Sequence, residues 1–172
     1  ASWAPDGTIV FAPAQANELQ RVPAAGGSPR PLTTLDTTAG EQAHLWPDVL
    51  PGGTAVLFTI KTSEALDEAL IAVMPLDGEE KHRVLVRGGT HARYAGSGHI
   101  VYARGGALLA VPFDPERLET TGAPFPVVEG VSTDPRFGVA HFALSASGTL
   151  AYVPGGAGGA ARSLLWVDRR GN

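Results

Sequence analysis

Apolar residues in this chain come in short runs of four to six, and a glycine turn introduces four of them in the same way. The first reads Trp3-Ala4-Pro5-Asp6-Gly7-Thr8-Ile9-Val10-Phe11. Its later counterparts are Val49 to Phe58, Tyr94 to Tyr102 and Leu144 to Tyr152, with Gly53, Gly98 and Gly148 closing their turns. The four glycines are 46, 45 and 50 residues apart. The runs after them, Thr8–Phe11, Ala55–Phe58, His99–Tyr102 and Thr149–Tyr152, are β-branched, aliphatic and aromatic, the composition of strands. A turn-then-strand unit with a period near 45 predicts an all-β chain built as a β-propeller.

The rest of each repeat fills in around this core. Third strands are expected at Leu19–Pro23, Leu70–Met74, Leu108–Pro112 and Leu164–Asp168. Fourth strands are expected at Pro29–Leu32, His82–Val86 and Phe125–Val128, where proline marks a sheet edge. First strands precede the turns, at His44–Val49, His91–Tyr94 and Ala140–Leu144, with only Ala1–Trp3 in the first copy. The whole of 1–172 thus reads as one propeller region with approximate blades 1–36, 37–89, 90–131 and 132–172, the last incomplete. Four blade-sized repeats form a closed small ring, a partial propeller, or half of a larger ring. The second and third of these are favoured, since stacked repeats with uncapped apolar faces associate. A homo-oligomer that completes the ring is the expected state.

Composition narrows the function classes. Glycine and proline number 22 and 14 of 172 residues, a density that suits short strands and breaks helices. The net charge is −4 and the arginines are scattered, so a nucleic-acid partner has no electrostatic footprint. No cysteine is present, which removes disulfides and thiolate chemistry. No apolar run is long enough for a membrane span, and no signal peptide is evident. The start at Ala1 and the stop inside a repeat suggest a processed chain or a piece of a longer one.

Candidate chemistry gathers on the first strands, which line the channel of a propeller. His91 and His141 lie seven residues before their turn glycines. In the second repeat Trp46 holds that place and His44 lies two residues earlier. Counting alternate residues puts the three histidines on one side of their strands, together with Asp48 and Arg93. Two readings follow: a ring of imidazoles at a channel mouth that takes a metal or an anion, or histidines that hydrogen-bond backbone between blades. Ligand or channel-lining residues are therefore expected among His44, Trp46, His91, Arg93 and His141. A second set, Trp3, Asp6, Gly7, Phe11, Gly53, Phe58, Tyr94, Gly98, Tyr102, Gly148 and Tyr152, repeats at the blade period and reads as structural.

Catalysis finds no support. There is no Gly-x-Ser-x-Gly elbow. The acidic cluster Glu64, Asp67, Glu68 and the turn Glu79-Glu80 read as exposed loops, and Gly155–Ala160 lacks the Lys-Ser/Thr of a phosphate loop. No catalytic residue, cofactor or resident metal is expected.

Trp3-Ala4-Pro5-Asp6-Gly7 and Leu19-Gln20-Arg21-Val22-Pro23-Ala24-Ala25-Gly26-Gly27-Ser28-Pro29-Arg30-Pro31-Leu32-Thr33 resemble the repeat of the TolB-type, WD-repeat-like β-propeller family. The other three turns depart from it by lacking the aspartate. Gly88–Tyr94 and Ser163–Gly171 are similar to the C-terminal propellers of bacterial receptor-type serine/threonine kinases. That resemblance implies a non-catalytic binding or sensor module outside the cytoplasmic membrane, with a protein or small-molecule ligand. Related propellers gate serine peptidases of the prolyl-oligopeptidase type, which is the alternative. A metal-binding mouth formed by the histidines is a third reading.

Overall fold

The computed structural model describes residues 1–65, 68–77, 81–134 and 136–155. The third strand expected at Leu164–Asp168, the glycine-rich stretch from Gly156 on, Asp67 and Glu79-Glu80 lie outside these residues. The architecture is all-β. Blade 1 is a four-stranded antiparallel sheet of β1 (Ser2–Trp3), β2 (Thr8–Phe11), β3 (Gln20–Pro23) and β4 (Arg30–Pro31), in that order. Blade 2 repeats it with β5 (Ala43–Val49), β6 (Ala55–Lys61), β7 (Leu70–Pro75) and β8 (Arg83–Arg87).

Blade 3 comprises β9 (Thr90–Ala95), β10 (His99–Arg104) and the long β11 (Ala107–Asp114). β12 (Glu119–Thr120) covers one end of β11 and β13 (Phe125–Glu129) the other. Blade 4 contributes two hairpins, β14 (Thr133–Asp134) with β15 (Val139–Ala140) and β16 (Phe142–Leu144) with β17 (Leu150–Tyr152). The strand anticipated at Ala140–Leu144 is therefore broken at His141. There the backbone instead pairs with Ser132 and Val153, at 2.9 Å each.

The repeated phrase forms the same turn four times. The N–H of Gly7, Gly53, Gly98 and Gly148 donates to the carbonyl three residues back, at 3.0 Å in every copy. All four glycines have φ between 72° and 87°, a region that a side chain makes costly. In the first copy the Asp6 carboxylate also accepts from the Thr8 amide, 2.8 Å. In the fourth, Ser145 Oγ does this for Thr149, 3.0 Å.

Each middle strand offers its two faces to two neighbours. On β6, Val56, Phe58 and Ile60 pack with Val10 and Leu19 of blade 1. Ala55 and Leu57 of the same strand pack with Ile100, Tyr102 and Phe113 of blade 3. On β10, Val101 and Ala103 turn the other way, to Val131 and Ala140. The period-2 alternation of a strand thus becomes a stack of blades, each junction with its own core.

The repeated aromatics do not share one fate. Phe58 and Tyr102 are fully buried, because each has a preceding blade to pack on. Trp3 is 67% exposed and Tyr152 42% exposed. A core role for those two is corrected: among the described residues, no neighbouring sheet covers them.

Candidate functional site

The first strands lie side by side, β1 by β5, β5 by β9 and β9 by β15. Their alternation is interrupted twice at matching places. The pairing of β5 with β6 slips between Leu45 and Asp48. The pairing of β9 with β10 slips between Val101 and Ala103, opposite the start of β9. At these bulges Trp46 has φ 53° and His91 φ 52°, left-handed values that are uncommon for residues with side chains. Both are the seventh residue before the turn glycine. Strain of about 1–2 kcal/mol repeated at one position of the repeat must be held by surrounding contacts.

Those contacts are specific. Trp46 Nε1 donates to the Phe137 carbonyl of blade 4, 2.8 Å. The His91 amide donates to Thr59 Oγ1 of blade 2, 3.0 Å. The imidazole of His91 contacts the rings of Trp46 and Phe142, with centroids 5.2 Å away in each case. Arg93 lies 3.3 Å from His91 Nε2, and His91 Nδ1 rests against the Ala140 backbone, 3.0 Å from its carbonyl and 3.2 Å from its amide. Burial, then the Arg93 charge, lower the pKa of His91 to about 4, and the ring is neutral at physiological pH.

Arg93 also pairs with Asp48, 2.8 Å, and reaches the Pro47 carbonyl, 3.3 Å. The other Asp48 oxygen accepts from the Tyr94 amide, 2.9 Å. One junction earlier, Ser2 Oγ accepts from the Val49 amide, also 2.9 Å. Ser2, Asp48 and Arg93 are each the fifth residue before a turn glycine. The first two join each first strand to the next through a side-chain acceptor. Arginine has only donors, so the series ends at Arg93. A cavity of about 320 Å3 opens there, lined by Asp48, Arg93, Tyr94, Phe142, Ala143 and Leu144.

Trp46, His91 and Arg93 are thus brought together, with Asp48 and Phe142. His141 follows β15 and contributes to the electrostatics of His91, while its backbone holds blade 4. His44 belongs elsewhere. It is fully buried on the face toward blade 1, with Nδ1 2.8 Å from Thr33 Oγ1 and Nε2 3.1 Å from Glu41. Burial lowers its pKa and Glu41 opposes the shift. A ring containing all three histidines is therefore corrected. Residue parity cannot be counted across the bulge at Trp46-Pro47, and His44 lies on the far side of it. Glu41, Thr33, Phe142 and His82 carried no signal that sequence reasoning used. Asp48 was placed by parity alone.

Solved structures with this architecture now bear on the fold. TolB from Acinetobacter baumannii superposes with a TM-score of 0.61 over 92% of this chain and 38% of its own, at 20% identity. The chain has a TolB-like β-propeller fold. A Mycobacterium tuberculosis puromycin-hydrolyzing peptidase superposes with a TM-score of 0.52 over 69% of this chain and 22% of its own, at 21% identity. The chain spans well under half the length of either protein. No protein-family model and no curated protein matches its sequence. Among the described residues, no helix is long and apolar enough to cross a membrane.

Proposed function

We propose that this chain is a non-catalytic binding module that takes a segment of a partner protein at the first-strand ends of blades 2 to 4. One observation carries the reading. Two equivalent, strained positions hold half-buried Trp46 and buried His91 against an Arg93–Asp48 pair that lines an open cavity. A half-buried indole and a partly exposed guanidinium beside the cavity suit a peptide segment with an acidic or carbonyl-rich face. Both nitrogens of His91 are engaged by Ala140 and Arg93, which suits holding the mouth in shape rather than proton transfer. A peptide array probed with the chain tests this. Acidic peptides retained by the native chain are expected to lose at least about tenfold in affinity to Trp46→Ala and to Arg93→Ala. Peptides held equally by all three proteins would contradict it.

The resemblance of Gly88–Tyr94 to receptor-kinase tails supports placing the module outside the cytoplasmic membrane, as the sensing part of such a kinase. The superposition with the peptidase favours a second reading, an accessory propeller that gates a hydrolase. The coding sequence on both sides of this segment separates them. A kinase domain and membrane helix upstream fit the first, and a Gly-x-Ser-x-Gly domain downstream fits the second. Exposed Trp3 supports pairing with a second copy, which light scattering would register as a dimer.

A further inference from the structure

The junction between blades 1 and 2 holds a second cluster, remote in role from the mouth and sharing with it none of Trp46, His91 or Arg93. Residues Thr37–Ala39 form a single 3-10 turn in the crossover between the blades. The Asp36 carboxylate caps it by accepting from the Thr38 and Ala39 amides. The turn closes on itself through Glu41. The Glu41 amide donates to the Asp36 carbonyl, 3.2 Å, and Glu41 Oε2 accepts from the Asp36 amide, 2.7 Å. This aims a carboxylate inward, with its side chain only 4% exposed. Two imidazoles meet it there: His44 Nε2 at 3.1 Å from Oε2, and His82 Nε2 at 2.8 Å from Oε1.

We propose that Glu41, His44 and His82 form a divalent-metal site with the donor set of zinc. Two imidazole nitrogens and one carboxylate oxygen, all within 4.8 Å of one another, are three protein ligands of a four-coordinate ion. Ligand atoms about 2.0–2.1 Å from a tetrahedral zinc stand roughly 3.3 Å apart. The two imidazole–carboxylate distances, 3.1 and 2.8 Å, already stand near that spacing, and side-chain rotation would bring the three donors around one ion. The partner of His44 behind the ligand atom is already in place. Thr33 Oγ1 takes the Leu19 amide at 2.9 Å and lies 2.8 Å from His44 Nδ1. It can accept the Nδ1 proton and leave the Nε2 lone pair for the metal, the arrangement that orients zinc-bound histidines.

Charge points the same way. A buried carboxylate needs a cationic partner. Among the described residues, Glu41 has no lysine or arginine within ion-pairing distance, only the two imidazoles. Phe58 walls the cluster, its ring 4.9 Å from His44 and 5.7 Å from His82. The open side is at His82, which with Thr33 and Asp36 lines a cavity of about 770 Å3, so an ion has an entry path and room for a water as fourth ligand. The bound ion would tie the crossover, the first strand of blade 2 and the approach to its outer strand β8 against Leu19 and Thr33.

Metal-stripped chain titrated with Zn²⁺ by calorimetry, and with Co²⁺ by visible absorption, tests this. One saturable site per chain is expected, with the strong ligand-field bands of tetrahedral cobalt and a raised melting temperature. His82→Ala, at the most exposed of the three ligands, should keep its circular dichroism and weaken Zn²⁺ binding by at least about 100-fold. Thr33→Val should weaken it roughly 10- to 100-fold while leaving all three ligands present. Absence of saturable Zn²⁺ binding to the native chain, or binding that survives His82→Ala unchanged, would overturn the assignment and leave the cluster a hydrogen-bonded staple.

Discussion

The junction between blades 2 and 3 and the junction between blades 3 and 4 use the same repeat positions with different results. In the first, Leu57, Ile71, Ile100, Tyr102 and Phe113 interlock, and Asp48 joins the two first strands through the Tyr94 amide. In the second, the corresponding core is Ala95, Val101, Ala103, Leu108, Ala110, Val131 and Ala140. Arg93 stands where an acceptor would continue the series, and a cavity opens beside it. A well-filled junction provides the frame. A junction of small side chains leaves a mouth. The strained residues Trp46 and His91 lie where the two meet, braced on one side by Thr59 and on the other by Phe137 and Ala140.

The largest contrast should come from truncating each core. Leu57→Ala removes buried methyl groups among large neighbours and is expected to cost about 4 kcal/mol in denaturant unfolding. Val101→Ala, among alanines, should cost roughly 1.5 kcal/mol. Equal losses would erase the distinction between the junctions.

Next in size is the pH dependence of the bracing. The imidazole of His91 titrates near 4 in the folded chain, while in the unfolded chain it titrates near its ordinary value of about 6.5. Between those values the unfolded state binds more protons. Stability is therefore full above about pH 6.5 and falls as pH drops toward 4, by about 3 kcal/mol for this group. Arg93, His141 and the N-terminal amine of Ala1 all oppose its protonation. His91→Gln should remove this slope, which melting curves between pH 4 and 7 measure. An unchanged slope would mean that His91 is not buried as described.

A smaller effect tests how tightly the first junction is filled. A Cβ added at Gly89 would stand 2.6 Å from Tyr102 Cδ2 and 3.2 Å from Ile71 Cδ1. Gly89→Ala is expected to lower stability by about 2 kcal/mol, because the ring and the aliphatic chain must both shift. A neutral Gly89→Ala would show a looser junction. The smallest change has the opposite sign. The Tyr102 hydroxyl is buried with no hydrogen-bond partner among the described residues. Tyr102→Phe should therefore stabilise the chain by about 1 kcal/mol, read from the unfolding midpoint. A loss of stability on that change would reveal a partner for the hydroxyl.

Much of the fold was legible because its signals are local and repeated. The glycine turns predicted four hairpins, and the strand after each turn falls at or within a residue of its expected start. The site was harder to read. A bulge carries no mark of its own in sequence, so Trp46 and His91 looked like ordinary strand residues, and parity carried His44 into a ring it does not join. One signal could have found the inter-blade ties. Ser2, Asp48 and Arg93 occupy one repeat position, and aligning them shows two acceptors followed by a donor. The Glu41, His44, His82 cluster could not be read this way. Its members come from a crossover, a first strand and the approach to an outer strand, and only the folding of blade 2 brings them together.

Native-state hydrogen exchange tests the comparison between the junctions most directly. The slowest amides should lie in β6, β10 and β11, exchanging only through global unfolding, while those of β16 and β17 exchange through local opening at several kcal/mol less. The Tyr94 amide, held by Asp48, should be protected with the first group. Uniform protection across all four blades, or blade 4 protected as well as blade 2, would contradict the account of a filled frame beside a yielding mouth.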